Sequence, residues 1–367
     1  QARTELSTEI DSHIFNQYIF AEQWALVRQR AKELNVRLVG DIPIFVAHDS
    51  SDVWSHRHLF KLDPTTGRQM VLSGVPPDYF SETGQLWGNP LYDWDACEKE
   101  GYAWWTLRFR RTLAQCDVIR IDHFRGFEAA WEVPAGEKTA INGTWVKGPG
   151  AKVFRAVDKV LGGEVPIIAE DLGLITPEVN ALRDELGYPG MKVLQFAWAG
   201  GPKGSYGAGS DHLPHNLTTQ RSVLYTGTHD SDTVRGWAEN ASPSERRAVR
   251  KYLGRSKPHD DSAPGGKRKR TTRSALKASS ETTTKVEEED QALDVVESAS
   301  WDFIRLAYAS ISDMAIIQLQ DPLDLGGDAR MNLPGTTDGN WSWRVEGSLV
   351  TDEVAERLRD LAELYGR

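Results

Sequence analysis

Short apolar runs recur along this chain, each cut off by a charged or polar residue, with helix-patterned segments between them. The runs read as strands at about 37–46, 117–122, 165–170, 191–198, 222–228 and 315–320. Helical spacing marks 11–34, 98–115, 151–161, 243–253 and 351–365, and Thr176-Pro177 reads as an N-cap followed by proline at the first helical position. Parallel strands need long crossovers, usually helices, so this alternation implies an α/β fold. An eight-stranded (β/α)8 barrel of the TIM type needs two strands more. None follows the last run, so the missing pair is expected upstream of Gln1.

The helix at 11–34 is expected to bury His13, Ile14, Tyr18, Trp24, Leu26, Val27 and Leu34. That at 98–115 is expected to bury Trp104, Trp105, Leu107 and Leu113. Residues 47–95 and 127–150 read as long irregular connections rich in Gly and Pro. A loop as long as the first is uncommon inside a domain and usually functional. The segment 255–292 carries Lys267-Arg268-Lys269-Arg270, a Ser/Thr run and Glu287-Glu288-Glu289-Asp290 without a hydrophobic period. It is expected to be a disordered insertion. The domains then fall at 1–254 (catalytic barrel), 255–292 (insertion) and 293–367 (last strand and final helix).

Apolar residues make up 40% of 367 positions, enough for a sizeable core. A net charge of −10 argues against a nucleic-acid partner. No apolar run approaches the roughly 20 residues of a membrane helix, and no signal peptide is visible. Two cysteines, Cys97 and Cys116, form neither a metal cluster nor a disulfide framework and suit a reducing compartment. No Rossmann fingerprint, P-loop or HExxH is present, and no metal or organic cofactor is implied.

The chemistry gathers at strand ends: Asp41, Asp122, Glu170 and Asp230. In parallel α/β folds the carboxyl ends of strands carry the active site. In the run 117–126, Arg120 and Asp122 share one face of the strand and Ile119 and Ile121 the other. A structural ion pair and a chemical site both remain open on that stretch alone. Two carboxyl groups, one ionised and one protonated, are what glycoside chemistry requires. Arg120 should favour a charged Asp122, suiting a nucleophile. Glu170 ends the apolar run VPIIA, which should raise its pKa and suit a general acid. Tyr79, Phe80, Trp87, Tyr92 and Trp94 crowd one polar loop. They can stack on sugar rings or form a satellite core. His229 stands beside Asp230.

Those residues lie in GDIPIFVAHDSSDVW (40–54), GVPPDYFSETGQLWGNPLYDW (74–94), VIRIDHFRGF (118–127), IIAEDLG (167–173), YTGTHDSDT (225–233) and ARMNLPGTTDGNWSWR (329–344). With these stretches in this order, the chain resembles the 4-α-glucanotransferases, the amylomaltase or disproportionating-enzyme family. The resemblance implies a TIM-type barrel and transfer of an α-1,4-glucan segment between malto-oligosaccharide or starch-type chains. It implies Asp122 as nucleophile, Glu170 as acid/base and Asp230 as the carboxylate that grips the transferred sugar. Arg120 and His229 would support the site. Asp78, Tyr79, Phe80 and Trp87 would belong to a loop overhanging the cleft, and Asp41 and Asn332 match other substrate-binding positions.

Family members carry a further N-terminal region with the first barrel strands. The chain is therefore expected to be a C-terminal portion holding strands 3 to 8, with two open edges, inactive or poorly folded alone. The insertion hints at a plastid member, the alternative being cytoplasmic. An α-glucan hydrolase, an inactive glucan-binding fragment and a scaffold acting through the charged insertion are the competing readings.

Overall fold

The structure is a computed structural model and describes residues 2–77, 81–198, 209–255, 295–296 and 298–367. It divides into two compact units, Gln1–Gly190 and Met191–Arg367.

The first unit is built on parallel strands Val39–Pro43, Val118–Asp122 and Ile167–Ala169, with Val118–Asp122 paired to both others. Ala169 pairs in turn with Gly190. The sequence explains the middle position of Val118–Asp122: Ile119 and Ile121 are fully buried on one face. Asp41 is in register with Arg120, and Pro43 with Asp122. Polar residues of two strands thus meet at one end of the sheet. Asp117 fixes the other end, accepting from Leu38 N at 2.8 Å and from Arg28 at 3.0 Å. Behind the apolar face stands an aromatic core of Trp105, Phe109, Phe124, Phe127 and Phe154.

Two connections differ from expectation. Within 47–95 and 127–150 lie strands Val71–Val75, Gln85–Pro90, Ala129–Pro134 and Thr144–Lys147, which form a second, antiparallel sheet. Its strands are short, and one pairing is broken by a register shift. A period of two has little room to show in them. Tyr92 is buried, its hydroxyl donating to Ile44 O at 2.6 Å, and Trp94 packs on the same core. These two belong to the core rather than to a sugar platform.

The expected helix at 98–115 is two helices, Trp94–Lys99 and Ala103–Leu113, separated at Gly101 and Tyr102, both with positive φ. Trp104, Trp105 and Phe109 are buried there, but Leu107 is exposed. The helix foreseen at 11–34 forms as Ser7–Glu33, yet none of its residues is buried. A helix forms where one is expected, but its apolar residues are spread around it and form no buried face. Trp24, donating to Gln115 O, and the Arg28–Asp117 pair tie it down. Thr176 precedes helix Pro177–Glu185 as expected, although its side chain makes no capping bond.

The second unit contains the parallel pair Ser222–Tyr225 and Met314–Ile316. Helices Val234–Asn240, Pro243–Tyr252, 298–308 and Asp352–Tyr365 accompany it. Its core holds Leu194, Trp198, Leu224, Val249 and Phe303. Ser242 and Glu245 form a reciprocal capping box that starts Pro243–Tyr252. Both cysteines are free and buried. Among the described residues no helix is long and apolar enough to cross a membrane.

Candidate active site

In the first unit, Arg120 is the hub. Its guanidinium reaches Asp41 at 2.6 Å and Asp122 at 3.2 Å. The register that places Asp41 opposite Arg120 makes the first contact possible. The i, i+2 spacing along the strand makes the second. Arg120 itself is well buried, with 11% of its side chain exposed, whereas Asp122 keeps 44%. A buried guanidinium between two half-open carboxylates leaves Asp122 oriented but reachable.

Glu170 follows the buried strand Ile167–Ala169. One carboxyl oxygen accepts from His123 N at 2.6 Å and the other from Leu172 N at 2.9 Å. Burial pushes its pKa up to about 7; the neighbouring Arg120 opposes that rise, Asp122 adds to it, and the two backbone donors oppose it. Burial therefore wins over a cation and two hydrogen bonds. At the ordinary carboxyl value, about 0.3% of such groups would hold a proton at pH 7. At about 7, roughly half do. This unit thus presents a carboxylate paired to a guanidinium beside a carboxylic acid poised near neutrality, the pairing that acid–base and nucleophilic chemistry needs.

The chain turns sharply after Asp122. His123 is left-handed, with φ 51° and ψ 51°, and a 3-10 turn Phe124–Phe127 follows. Its ring packs edge-on to Trp87 at 4.8 Å between centroids and lies 6.2 Å from Phe45. Trp87, 39% exposed, is thereby brought to the end of the Asp122 strand.

The second unit holds a separate polar cluster. His229 Nε2 lies 3.3 Å from Asp230 Oδ2, and Asn332 Nδ2 donates to Asp230 Oδ1 at 2.7 Å. Arg330 joins the backbone on both sides, donating to Asp230 O at 2.6 Å and to Asn332 O at 2.8 Å. Trp341, half-exposed and left-handed at φ 59°, lies 5.2 Å from the His229 ring.

The first unit thus gathers Asp41, Arg120, Asp122, Glu170 and Trp87, and the second gathers His229, Asp230 and Asn332. Asp78, Tyr79 and Phe80, and the segment 256–292, lie outside the described residues. His123, Arg330 and Trp341 have no role assigned from the sequence, although all three stand inside the motif stretches. A polar or aromatic residue between recognised motif positions was the available signal.

A model of the 4-alpha-glucanotransferase family matches residues 1–351. The chain is 45% identical over 362 residues to a 4-alpha-glucanotransferase of Synechocystis sp., covering 99% of this chain and 63% of the relative. It is 45% identical over 368 residues to that of Thermus thermophilus, covering 100% and 65%. A 4-alpha-glucanotransferase of Arabidopsis thaliana described as chloroplastic/amyloplastic is 43% identical over 361 residues, covering 98% and 54%. Among solved structures, the chain is similar to the amylomaltase from Streptococcus agalactiae in complex with acarbose. The TM-score is 0.82 at 33% identity, over 100% of this chain and 64% of that one. The chain spans less than two thirds of the length of these relatives.

Proposed function

The chain belongs to the 4-alpha-glucanotransferase family, and from that premise we propose that it transfers an α-1,4-glucan segment from a donor malto-oligosaccharide or starch chain to the 4-hydroxyl of an acceptor glucan. The observation that carries the reading is the pair in the first unit: Asp122 held by Arg120, beside Glu170 with its pKa raised to about 7.

Asp122 attacks the anomeric carbon while the glycosidic C–O bond breaks. Glu170 gives its proton to the leaving oxygen, and a covalent glycosyl ester on Asp122 results. The acceptor 4-hydroxyl then attacks the same carbon, its proton passes to Glu170, and Asp122 is released. Two displacements leave the configuration retained, which calls for carboxyl groups about 5–5.5 Å apart. Asp41 keeps Arg120 in place. Asp230, oriented by Asn332 and His229, is assigned to the hydroxyls of the transferred sugar. Trp87, with Asp78, Tyr79 and Phe80, is assigned to the acceptor and to excluding water.

The parallel strands fit strands 3 to 8 of a (β/α)8 barrel, in the segments 1–254 and 293–367, with 255–292 as an insertion. A plastid location agrees with the chloroplastic/amyloplastic description of the Arabidopsis relative. Incubation with maltotriose of the chain joined to the N-terminal region that its relatives carry tests the activity, the 367 residues alone being expected to be inactive or poorly folded. Glucose together with a ladder of longer chains is expected. Short products alone would make it a hydrolase, and glucan binding without any product an inactive binding protein.

A further inference from the structure

Glu170 is held from the other side of the sheet end by the residue that follows Asp122 in the chain. His123 N donates to the Glu170 carboxyl and Phe124 N donates to the Glu170 carbonyl at 3.0 Å. In an extended strand, consecutive N–H groups point to opposite sides. A left-handed residue turns them toward the same side, the geometry of a backbone nest. His123 is that residue; left-handed backbone is uncommon outside glycine, and histidine, with asparagine and aspartate, is among the side chains that adopt it more often than others.

The ring explains how the turn is kept. It sits against Trp87 and Phe45, and Gly126 closes the third side. A Cβ at Gly126 would meet Ile44 Cδ1 at 2.7 Å and His123 Cδ2 at 3.2 Å, so the missing side chain leaves the ring its room on that side. His123 Nε2 is buried without a hydrogen-bond partner among the described residues. Burial, with the nearby Arg125 cation, pushes the imidazole pKa down to about 3, so the ring carries no charge near neutrality.

We propose that His123 is a positioning residue for Glu170: its left-handed backbone aims two consecutive N–H groups at that residue, and its imidazole, wedged between Phe45 and Trp87, locks the turn. One peptide unit then ties the acid to the nucleophile. Asp122 ends its strand, and the next N–H sets where the Glu170 carboxyl stands. The inference rests on the acid/base reading of Glu170 for its meaning, but not for its test.

The test is a titration followed by NMR on the protein labelled with 13C at glutamate carboxyls, Glu170 being identified by the Glu170→Gln variant. Among the described residues the charged groups acting on Glu170 are Arg120 and Asp122, and both are left unchanged. In the wild type, the His123 amide proton should move with the Glu170 carboxyl, at one midpoint. Asparagine and valine leave similar space in place of the ring, but asparagine tolerates the left-handed region and β-branched valine does not. His123→Val should lose the donor to the carboxylate and titrate about one pH unit higher than His123→Asn.

Equal midpoints in the two variants would overturn the proposal. So would a fall of both to ordinary carboxyl values, which would make burial by the ring the whole effect. If His123→Val does not fold, the wild-type amide decides: a His123 amide proton that ignores the Glu170 titration overturns the proposal unaided. None of these readings depends on glucan transfer, so loss of the transferase reading would leave them standing.

Discussion

Glu170 in the first unit and Asp321 in the second carry the same electrostatic signature for different reasons. Burial comes first in both, raising Glu170 to about 7 and Asp321 to about 6. Asp321 is sealed completely. Its oxygens accept from Thr226 Oγ1 at 2.6 Å and from Val234 N at 2.9 Å, where helix Val234–Asn240 begins. It joins a strand end to a helix start and has no cation paired to it among the described residues. Glu170 keeps some solvent contact, has backbone donors on both oxygens and stands beside Asp122 and Arg120. A raised pKa by itself therefore does not mark a site. A raised acid with some solvent contact, next to a second carboxylate paired to a guanidinium, is the arrangement we propose as the site.

The largest effect should come from the partner that Asp321 lacks. Asp122→Asn keeps the shape of the side chain but removes the proposed nucleophile. Transfer from maltotriose should fall on the order of 10⁴-fold, with glucan binding retained. Wild-type rates in this variant would reduce the Asp122–Arg120 contact to a structural ion pair and erase the contrast.

Glu170→Gln comes next. A missing general acid costs roughly 10²- to 10⁴-fold. A donor with a good leaving group, which needs no proton, should recover much of the first step. In the wild type the donating form disappears as pH rises through about 7, so the rate of the first step should decline above that pH. An alkaline limb unchanged in position when Glu170 is replaced would assign it to some other group.

Asn332→Ala tests the polar cluster of the second unit. It removes the 2.7 Å donor from Asp230 and leaves His229 on the other oxygen. One hydrogen bond to a charged group is lost, and kcat/KM should fall about tenfold. A loss as large as that of Asp122→Asn would mean that Asp230 does more than hold a substrate.

How far these features could be read from sequence depends on how local their cause is. Parallel strands came through because each is a compact apolar run ending in charge, and Glu170 came through because VPIIA sits directly before it. The partner of Asp41 did not, since it depends on the register between Val39–Pro43 and Val118–Asp122. The antiparallel sheet is hidden because its strands run only four to six residues and three of the four contain Gly or Pro. Leu107 lies in helix Ala103–Leu113 on the side away from Trp104, Trp105 and Phe109, and the sequence does not show which of these apolar residues the core takes. The left-handed turn at His123 is marked only by the modest preference of histidine for that region; the rings that hold it, Phe45 and Trp87, lie far away along the chain.

The smallest effect on activity should come from Asp321→Asn, and it sharpens the contrast most. The asparagine can still accept from Val234 N and can donate to Thr226, so the fold should be kept and transfer should change less than about twofold. Stability should nevertheless respond to pH. A carboxyl group whose folded pKa lies above its unfolded value binds more protons when folded. Its contribution is complete below the unfolded value of 3.8 and is lost as pH rises through about 6. Denaturant titrations at a series of pH values should show a decline across that window in the wild type and a flatter profile in Asp321→Asn. Glu170→Gln should flatten a window reaching up to about 7 instead, and lose activity as well. If Asp321→Asn abolishes transfer while its stability profile stays that of the wild type, Asp321 belongs with the reacting groups. Solvent access then no longer separates the two acids.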